Sequence, residues 1–197
     1  MAPNKGRLSA PSLEFLQKAG FSLPADSRSY KSTLGGSTVL FARARDIPYY
    51  VASGFSDFGI TGRDIVVESC QQVFEICELP FGECAVVLAS GGSIRNVRDL
   101  EGKRVATEFP VIAKNFLESR AVAAEIIRLD GATELAVSCG LADAVIDITS
   151  TGRTLRENDL FVRDFVMASN AVLIASERSV SKSDGLLALA REKGGLG

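Results

Sequence analysis

Short apolar runs alternate with amphipathic or polar stretches along the whole chain, and this rhythm predicts strands separated by helices. Residues 142–148 are short, apolar and β-branched, the pattern of a buried strand of an α/β protein, and residues 84–89 and 171–175 read the same way. Further strands are predicted over 38–42, 56–60, 72–79, 104–107, 125–128 and 160–167. Helices are predicted over 9–20, 47–53, 65–68, 97–100, 110–119, 133–139 and 186–193. Several carry start and stop residues: Ser9, Pro11 and Gly20 bound the first, Asp46, Pro48 and Gly54 the second, and Thr133 and Gly140 the sixth. After the strand at 142–148, Thr154 and Glu157 have capping-box spacing and predict a helix starting at Thr154.

This alternation argues for parallel-rich α/β sheets, and its two successive runs argue for two lobes. The small-residue connection Ser90, Gly91, Gly92, Ser93 marks the first boundary. One lobe is expected over 1–89 plus 166–197, on the return of the chain, and the other over 90–165. A ligand would then bind in the cleft between the lobes, beyond the carboxyl ends of the strands. Three turns fall at such strand ends: the Arg43 turn, the Thr61-Gly62 turn and the loop from Asp147 to Thr154.

Composition narrows the partners. With 197 residues, 46% of them hydrophobic, the chain has enough apolar material for a well-packed core, and disorder is excluded. A formal charge of −2 gives no basic field, so nucleic acid is not an expected partner and any anion must be gripped locally. The apolar runs are far too short to span a membrane, and the first residues lack a secretory apolar segment, so a cytoplasmic protein is expected. Cys70, Cys77, Cys84 and Cys139 form no C-x-x-C pair and there is no histidine to complete a zinc site, so they are expected to be buried, reduced thiols and no protein metal site is expected. The missing histidine also excludes Ser-His-Asp and Cys-His nucleophilic machinery and favours chemistry driven by placed charges.

The Asp147–Thr154 loop supplies such chemistry. The hydroxyls of Thr149, Ser150, Thr151 and Thr154, with Gly152, can converge on an anion alongside backbone N–H groups of the turn and the next helix. An ordinary strand-turn-helix connection whose threonines cap and turn accounts equally well for the spacing. Asp147 adjoins the loop and can accept hydrogen bonds from sugar hydroxyls while the loop donates to a phosphate, a phosphoribosyl site in outline. Asp143, on the same strand face but roughly 13 Å away at about 3.3 Å per residue, suits a strand-start or interface role.

The run Glu134-x5-Gly140-x-Ala142-x2-Val145-x-Asp147-Ile148-x2-Thr151-Gly152-x-Thr154-Leu155 resembles the signature of the ATP phosphoribosyltransferases, the first enzymes of histidine biosynthesis, with no mismatch. The segments 4–8, 43–51, 57–64 and 102–107 resemble further blocks of that family, in its order, over most of the chain. The resemblance implies a two-lobed fold similar to type II periplasmic binding proteins. It also implies transfer of phosphoribose from phosphoribosyl pyrophosphate to N-1 of ATP, with magnesium carried on substrate phosphates. By position, Asp147, Thr149, Ser150, Thr151, Gly152, Arg153 and Thr154 would bind phosphoribosyl pyrophosphate. Lys5, Gly6, Arg7, Arg28, Arg43, Asp57, Gly59, Thr61 and Gly62 would face ATP and pyrophosphate, with Lys5 and Arg43 catalytic. The chain's length resembles the family's short form, which implies a homodimer joined by a regulatory subunit similar to the catalytic core of histidyl-tRNA synthetase. The rival reading is a non-catalytic two-lobed binding protein, since such a fold serves transport and sensing too; another phosphoribosyltransferase with a different acceptor is a third.

Overall fold

The computed structural model describes residues 2–3, 7–19, 31–34 and 37–192. In chain order the elements are β1 (Ala2–Pro3), α1 (Ser9–Lys18), β2 (Lys31–Leu34), β3 (Ser37–Leu40), α2 (Ile47–Ala52), β4 (Phe58–Gly62), α3 (Arg63–Ser69) and β5 (Phe74–Glu78). They continue with β6 (Cys84–Ser90), β7 (Arg104–Thr107), α4 (Pro110–Ser119), β8 (Glu125–Arg128), α5 (Thr133–Ser138), β9 (Ala144–Thr149), α6 (Arg153–Glu157), β10 (Phe161–Ser169), β11 (Ala171–Ala175) and α7 (Ser183–Glu192). Short 3₁₀ turns occupy Ala44–Asp46, Val97–Leu100 and Glu177–Lys182. The chain divides into two compact units, Met1–Gly82 with Asn170–Gly197, and Glu83–Ser169.

In the first unit a sheet runs in the order β1-β4-β11-β5, with β1 parallel to β4 and β11 antiparallel to both its neighbours. β11 is buried along its whole length, which is why it reads as a continuous apolar run. Phe15 and Leu16 of α1 pack with Ile60, Leu79 and Leu173 in one cluster, while Ile47 and Val51 of α2 meet Val172 and Ile174 in another. β2 and β3 form a separate antiparallel pair.

In the second unit the order is β10-β6-β9-β7-β8. β7 is parallel to both β8 and β9, whereas β6 is antiparallel to β9 and β10. The sheets are therefore mixed rather than parallel-rich: alternation with helices predicts crossovers, but the strands that close each unit return antiparallel, and apolar periodicity is the same in either direction. The boundaries also differ from those expected. β6 pairs with β9 from Ala85 to Ser90 and with β10 from Cys84 to Ser90, so the chain leaves the second unit at Ser169 rather than at residue 165, and enters it before β6 rather than after.

The cysteines depart from expectation as well. Cys84 is buried and Cys77 half-buried, its thiol pushed up by burial, but Cys70 and Cys139 are exposed; none of the four is in a disulfide. Cys70 and Cys139 occupy the C-cap positions of α3 and α5, where the chain turns out to solvent. Cys70 does so in the left-handed region, φ 51°, which costs any residue with a Cβ about 1–2 kcal/mol. Cys70→Gly is expected to raise unfolding stability by about 1 kcal/mol, read as a higher urea midpoint at unchanged slope.

Candidate functional site

The second unit brings the carboxyl ends of its parallel strands together. Thr107, the last residue of β7, pairs with Ile146 of β9 and with Arg128 at the end of β8. Glu108 and Asp147 thus follow side by side from adjacent parallel strands, and β8 leads through Gly131 and Ala132 into α5. Strand ends of this kind are where open α/β sheets hold ligands.

Asp147 is partly buried there and both its oxygens are engaged. Oδ1 accepts the backbone N–H of Ile148 at 2.6 Å, and Oδ2 accepts the hydroxyl of Thr133. Burial pushes its proton affinity up; these two donors oppose the rise, and the carboxylates of Glu108 and Glu134 add to it. Thr133 does not cap α5 as its sequence position predicts. Ala132 takes the N-cap place with φ 47°, no side chain caps the helix, and the Thr133 hydroxyl turns to Asp147.

Beyond Asp147 the loop is closed by its own first threonine. Thr149 Oγ accepts the N–H of Gly152 at 2.8 Å, Gly152 takes the left-handed φ of 66° that this tight return requires, and Arg156 N–H bonds back to the Gly152 carbonyl at 3.1 Å. Leu155, buried with Leu160 and Val145, pins the far side of the loop to the core. Ser150, Thr151, Arg153 and Thr154 remain exposed, with Arg153 paired to Glu157 at 2.7 Å. The expected capping box does not form: α6 starts at Arg153 behind Gly152 and no side chain caps it. With only five residues it has little macrodipole, so an anion here depends on the loop's hydroxyls and N–H groups.

Asp143 is occupied elsewhere. Its Oδ2 accepts the backbone N–H of Arg104 at 2.9 Å and the guanidinium at 3.3 Å, which hold its carboxyl below the usual range and tie the start of β9 to β7. This is the strand-start role that its spacing suggested.

The other expected ligands lie on the first unit, except Lys5, Gly6 and Arg28, which fall outside the described residues. Arg7 is exposed ahead of α1. Arg43 is exposed in extended backbone, φ −67° and ψ 145°, where its carbonyl accepts the N–H of Asp46 at 3.0 Å. Thr61 is fully buried and donates its hydroxyl to the Ala44 carbonyl at 3.1 Å, fastening the Arg43 turn to β4. Gly59 is a close-approach glycine: a Cβ there would lie 2.5 Å from Ile47 Cγ2 and 2.9 Å from Val51 Cγ2. Gly62 ends β4 and is the N-cap of α3. Asp57 is exposed, and its Oδ1 accepts Ser179 Oγ at 2.5 Å and Lys182 Nζ at 3.5 Å; the Ser179 hydroxyl is the main cause of its lowered proton affinity. The structure therefore groups Arg43 with Thr61, and gives Thr61, Gly59 and Asp57 tasks in holding that turn, α2 and the Glu177–Lys182 turn.

Among the described residues no three His, Cys, Asp or Glu side chains gather in a metal-ligating group, and no helix is long and apolar enough to cross a membrane. The residue that sequence reasoning missed is Thr133. Its only sequence signal pointed to a cap, and its true partner lies fourteen positions away.

Comparison with known proteins points one way. The family model described as ATP phosphoribosyltransferase matches residues 43–192. The chain is 46% identical over 178 residues to the ATP phosphoribosyltransferase of Natronomonas pharaonis, covering 88% of this chain and 63% of that protein. It is 42% identical over 186 residues to that of Syntrophomonas wolfei, covering 91% and 86%. Against the relatives from Natronomonas pharaonis and Methanocaldococcus jannaschii, the chain spans 63% and 66% of their length. Among solved structures, a chain of the ATP phosphoribosyl transferase (HisG:HisZ) complex from Thermotoga maritima superposes with a TM-score of 0.86 at 30% identity, covering 98% of this chain and 96% of that one. The alkanesulfonate-binding protein SsuA from Xanthomonas axonopodis shares the fold alone, at TM-score 0.61 and 15% identity over 99% of this chain and 72% of that one. The likeness to a periplasmic binding protein agrees with the type II fold expected from the sequence.

Proposed function

This chain belongs to the ATP phosphoribosyltransferase family, and on that premise we propose that it transfers 5-phosphoribose from phosphoribosyl pyrophosphate to N-1 of ATP, the first step of histidine biosynthesis. The observation that carries the reading is the Asp147–Thr154 loop at the carboxyl ends of β7 and β9, with a carboxylate at its start and exposed hydroxyls along it. Asp147 accepts the ribose hydroxyls, and the loop from Thr149 to Thr154 donates to the 5-phosphate. The adenine N-1 lone pair attacks the anomeric carbon as the bond to pyrophosphate breaks, and pyrophosphate leaves with the electron pair. The positive charge that builds on the ribose needs placed negative charge and a neutralised leaving group rather than a strong base. Arg43 and Lys5 serve the leaving group, Arg7, Arg28, Asp57 and Gly62 line the ATP and pyrophosphate side with Gly59 and Thr61 holding α2 and the Arg43 turn behind it, and magnesium arrives on the substrate phosphates, whose hard oxygens are its usual ligands. The enzyme works in the cytoplasm as a homodimer with a regulatory subunit similar to the histidyl-tRNA synthetase core.

The test is pyrophosphate release by the purified chain, alone and with such a subunit. Release is expected only with phosphoribosyl pyrophosphate, ATP and magnesium together. Binding without turnover would favour the binding-protein alternative, and turnover with another acceptor would displace ATP. Arg43→Ala is expected to lower kcat about 10²-fold, the usual loss for one charge-stabilising donor. Its melting temperature should not change, because the exposed turn is held through the Arg43 carbonyl and the Thr61 hydroxyl. An unchanged kcat removes Arg43 from the site.

A further inference from the structure

Thr133 is the first residue of α5, and its hydroxyl is not spent on the helix. The N-cap place falls to Ala132, which stands in the left-handed region at a cost of about 1–2 kcal/mol and has no side-chain oxygen to cap with, so α5 starts uncapped. The side chain is fully buried and its hydroxyl is spent on Asp147 Oδ2. With Ile148 N–H on the other oxygen, each carboxylate oxygen has one fixed donor, so the plane of the group is set and lone pairs remain on both oxygens for a ligand.

The surroundings work against a charge there. β6 sets apolar Val87 opposite Asp147, and the charged groups acting on it are carboxylates: Glu108 from the β7–α4 connection and Glu134 from α5. Burial also favours the protonated form, and the Thr133 hydroxyl and Ile148 N–H are the groups that favour the anion. A protonated Asp147 would keep one acceptor oxygen and lose the charge that strengthens its bonds to sugar hydroxyls.

We propose that Thr133 is a positioning residue of the phosphoribosyl site, fixing the plane of Asp147 and keeping it as the anion that receives the ribose hydroxyls. This rests on the reading of Asp147 as a phosphoribosyl pyrophosphate ligand. The hydroxyl is the functional part of the side chain, so the shape-matched Thr133→Val removes the role and Thr133→Ser retains it.

The experiment compares Thr133→Val, Thr133→Ser and Asp147→Asn in the full chain, with KM for each substrate followed across the acid side of the pH profile. Alongside, the Asp147 carboxyl is titrated by carbon NMR without substrate. Thr133→Val is expected to raise KM for phosphoribosyl pyrophosphate about tenfold, the loss expected of one hydrogen bond to a charged group, with KM for ATP unchanged. The acid limb and the carboxyl titration both move to higher pH, and Thr133→Ser restores all three. An unmoved carboxyl titration in Thr133→Val, an equal rise in both KM values, or a serine variant no better than valine would each overturn the proposal. If Asp147→Asn leaves KM for phosphoribosyl pyrophosphate unchanged, the assignment of Asp147 fails and the proposal falls with it. That outcome is distinguishable because the substrate-free titration reports the Thr133 effect independently.

Discussion

Asp147→Asn is expected to raise KM for phosphoribosyl pyrophosphate at least a hundred-fold and to leave KM for ATP nearly unchanged. Two hydrogen bonds from ribose hydroxyls to a charged acceptor, at about 1.5–3 kcal/mol each, account for a loss of that size. The substitution is close to isosteric and keeps the local bonds: the amide oxygen can accept Ile148 N–H while the amide nitrogen donates to the Thr133 hydroxyl. Folding should gain rather than suffer. Burial raises the proton affinity of Asp147 in the folded chain, so the native state binds that proton more readily than the unfolded state does. The contribution of this group to stability therefore falls as pH rises from the ordinary carboxylate range through the raised native value, and above it the ionised group is a net cost. Asparagine removes that cost, so the variant should match or exceed the parent in urea stability at neutral pH and lose this part of the pH dependence. Equal weakening of both substrates, or a fall in stability that tracks the loss of binding, would move the ribose contact away from Asp147.

Gly59→Val is expected to destabilise the first unit by about 3 kcal/mol and to lower activity through folding rather than through contact with ATP. Any Cβ at this position lies 2.5 Å from Ile47 Cγ2, 2.9 Å from Val51 Cγ2 and 3.3 Å from Ile174 Cγ1. Ile47, Val51 and Ile174 are fully buried and share one cluster, so the obstacle is packed core with no rotamer free to yield. Overfilling such a site costs about 1–3 kcal/mol, and the branched valine lies at the upper end. Since α2 follows the Arg43 turn directly, its displacement would carry that turn with it. The check is a two-variant comparison by thermal unfolding and substrate binding, with Gly59→Ala as the milder member. If Gly59→Val melts like the parent yet fails to bind ATP, the glycine serves the ligand and not the packing.

Much of the architecture was legible because it depends on local signals. Pro110 at a helix start, the apolar face behind it and the turn after Ser119 place α4 with its observed bounds, and the β-branched runs at 104–107, 125–128 and 171–175 match β7, β8 and β11. The course of the candidate loop was legible as well, because a glycine among hydroxyl residues after an apolar strand marks a turn; its spacing alone suits an ordinary strand-turn-helix connection equally well, and the longer run from Glu134 to Leu155 is what gives the family resemblance. What failed were statements about where a side chain spends its hydrogen bond. Thr154 and Thr133 both sit at cap positions by spacing and neither caps, the first because Gly152 already turns the chain at φ 66°, the second because Asp147 draws its hydroxyl across the sheet end.

The sequence by itself determined most of the element types, the turn that follows β9 and the family resemblance, since all of these are written in residues close together in the chain. Only the tertiary structure decided strand direction, the place of β6 between β10 and β9, the packing task of Gly59 and the pairing of Thr133 with Asp147. Each of these depends on groups far apart in the chain, whose meeting is set by how the sheets assemble and by which buried polar group most needs a partner.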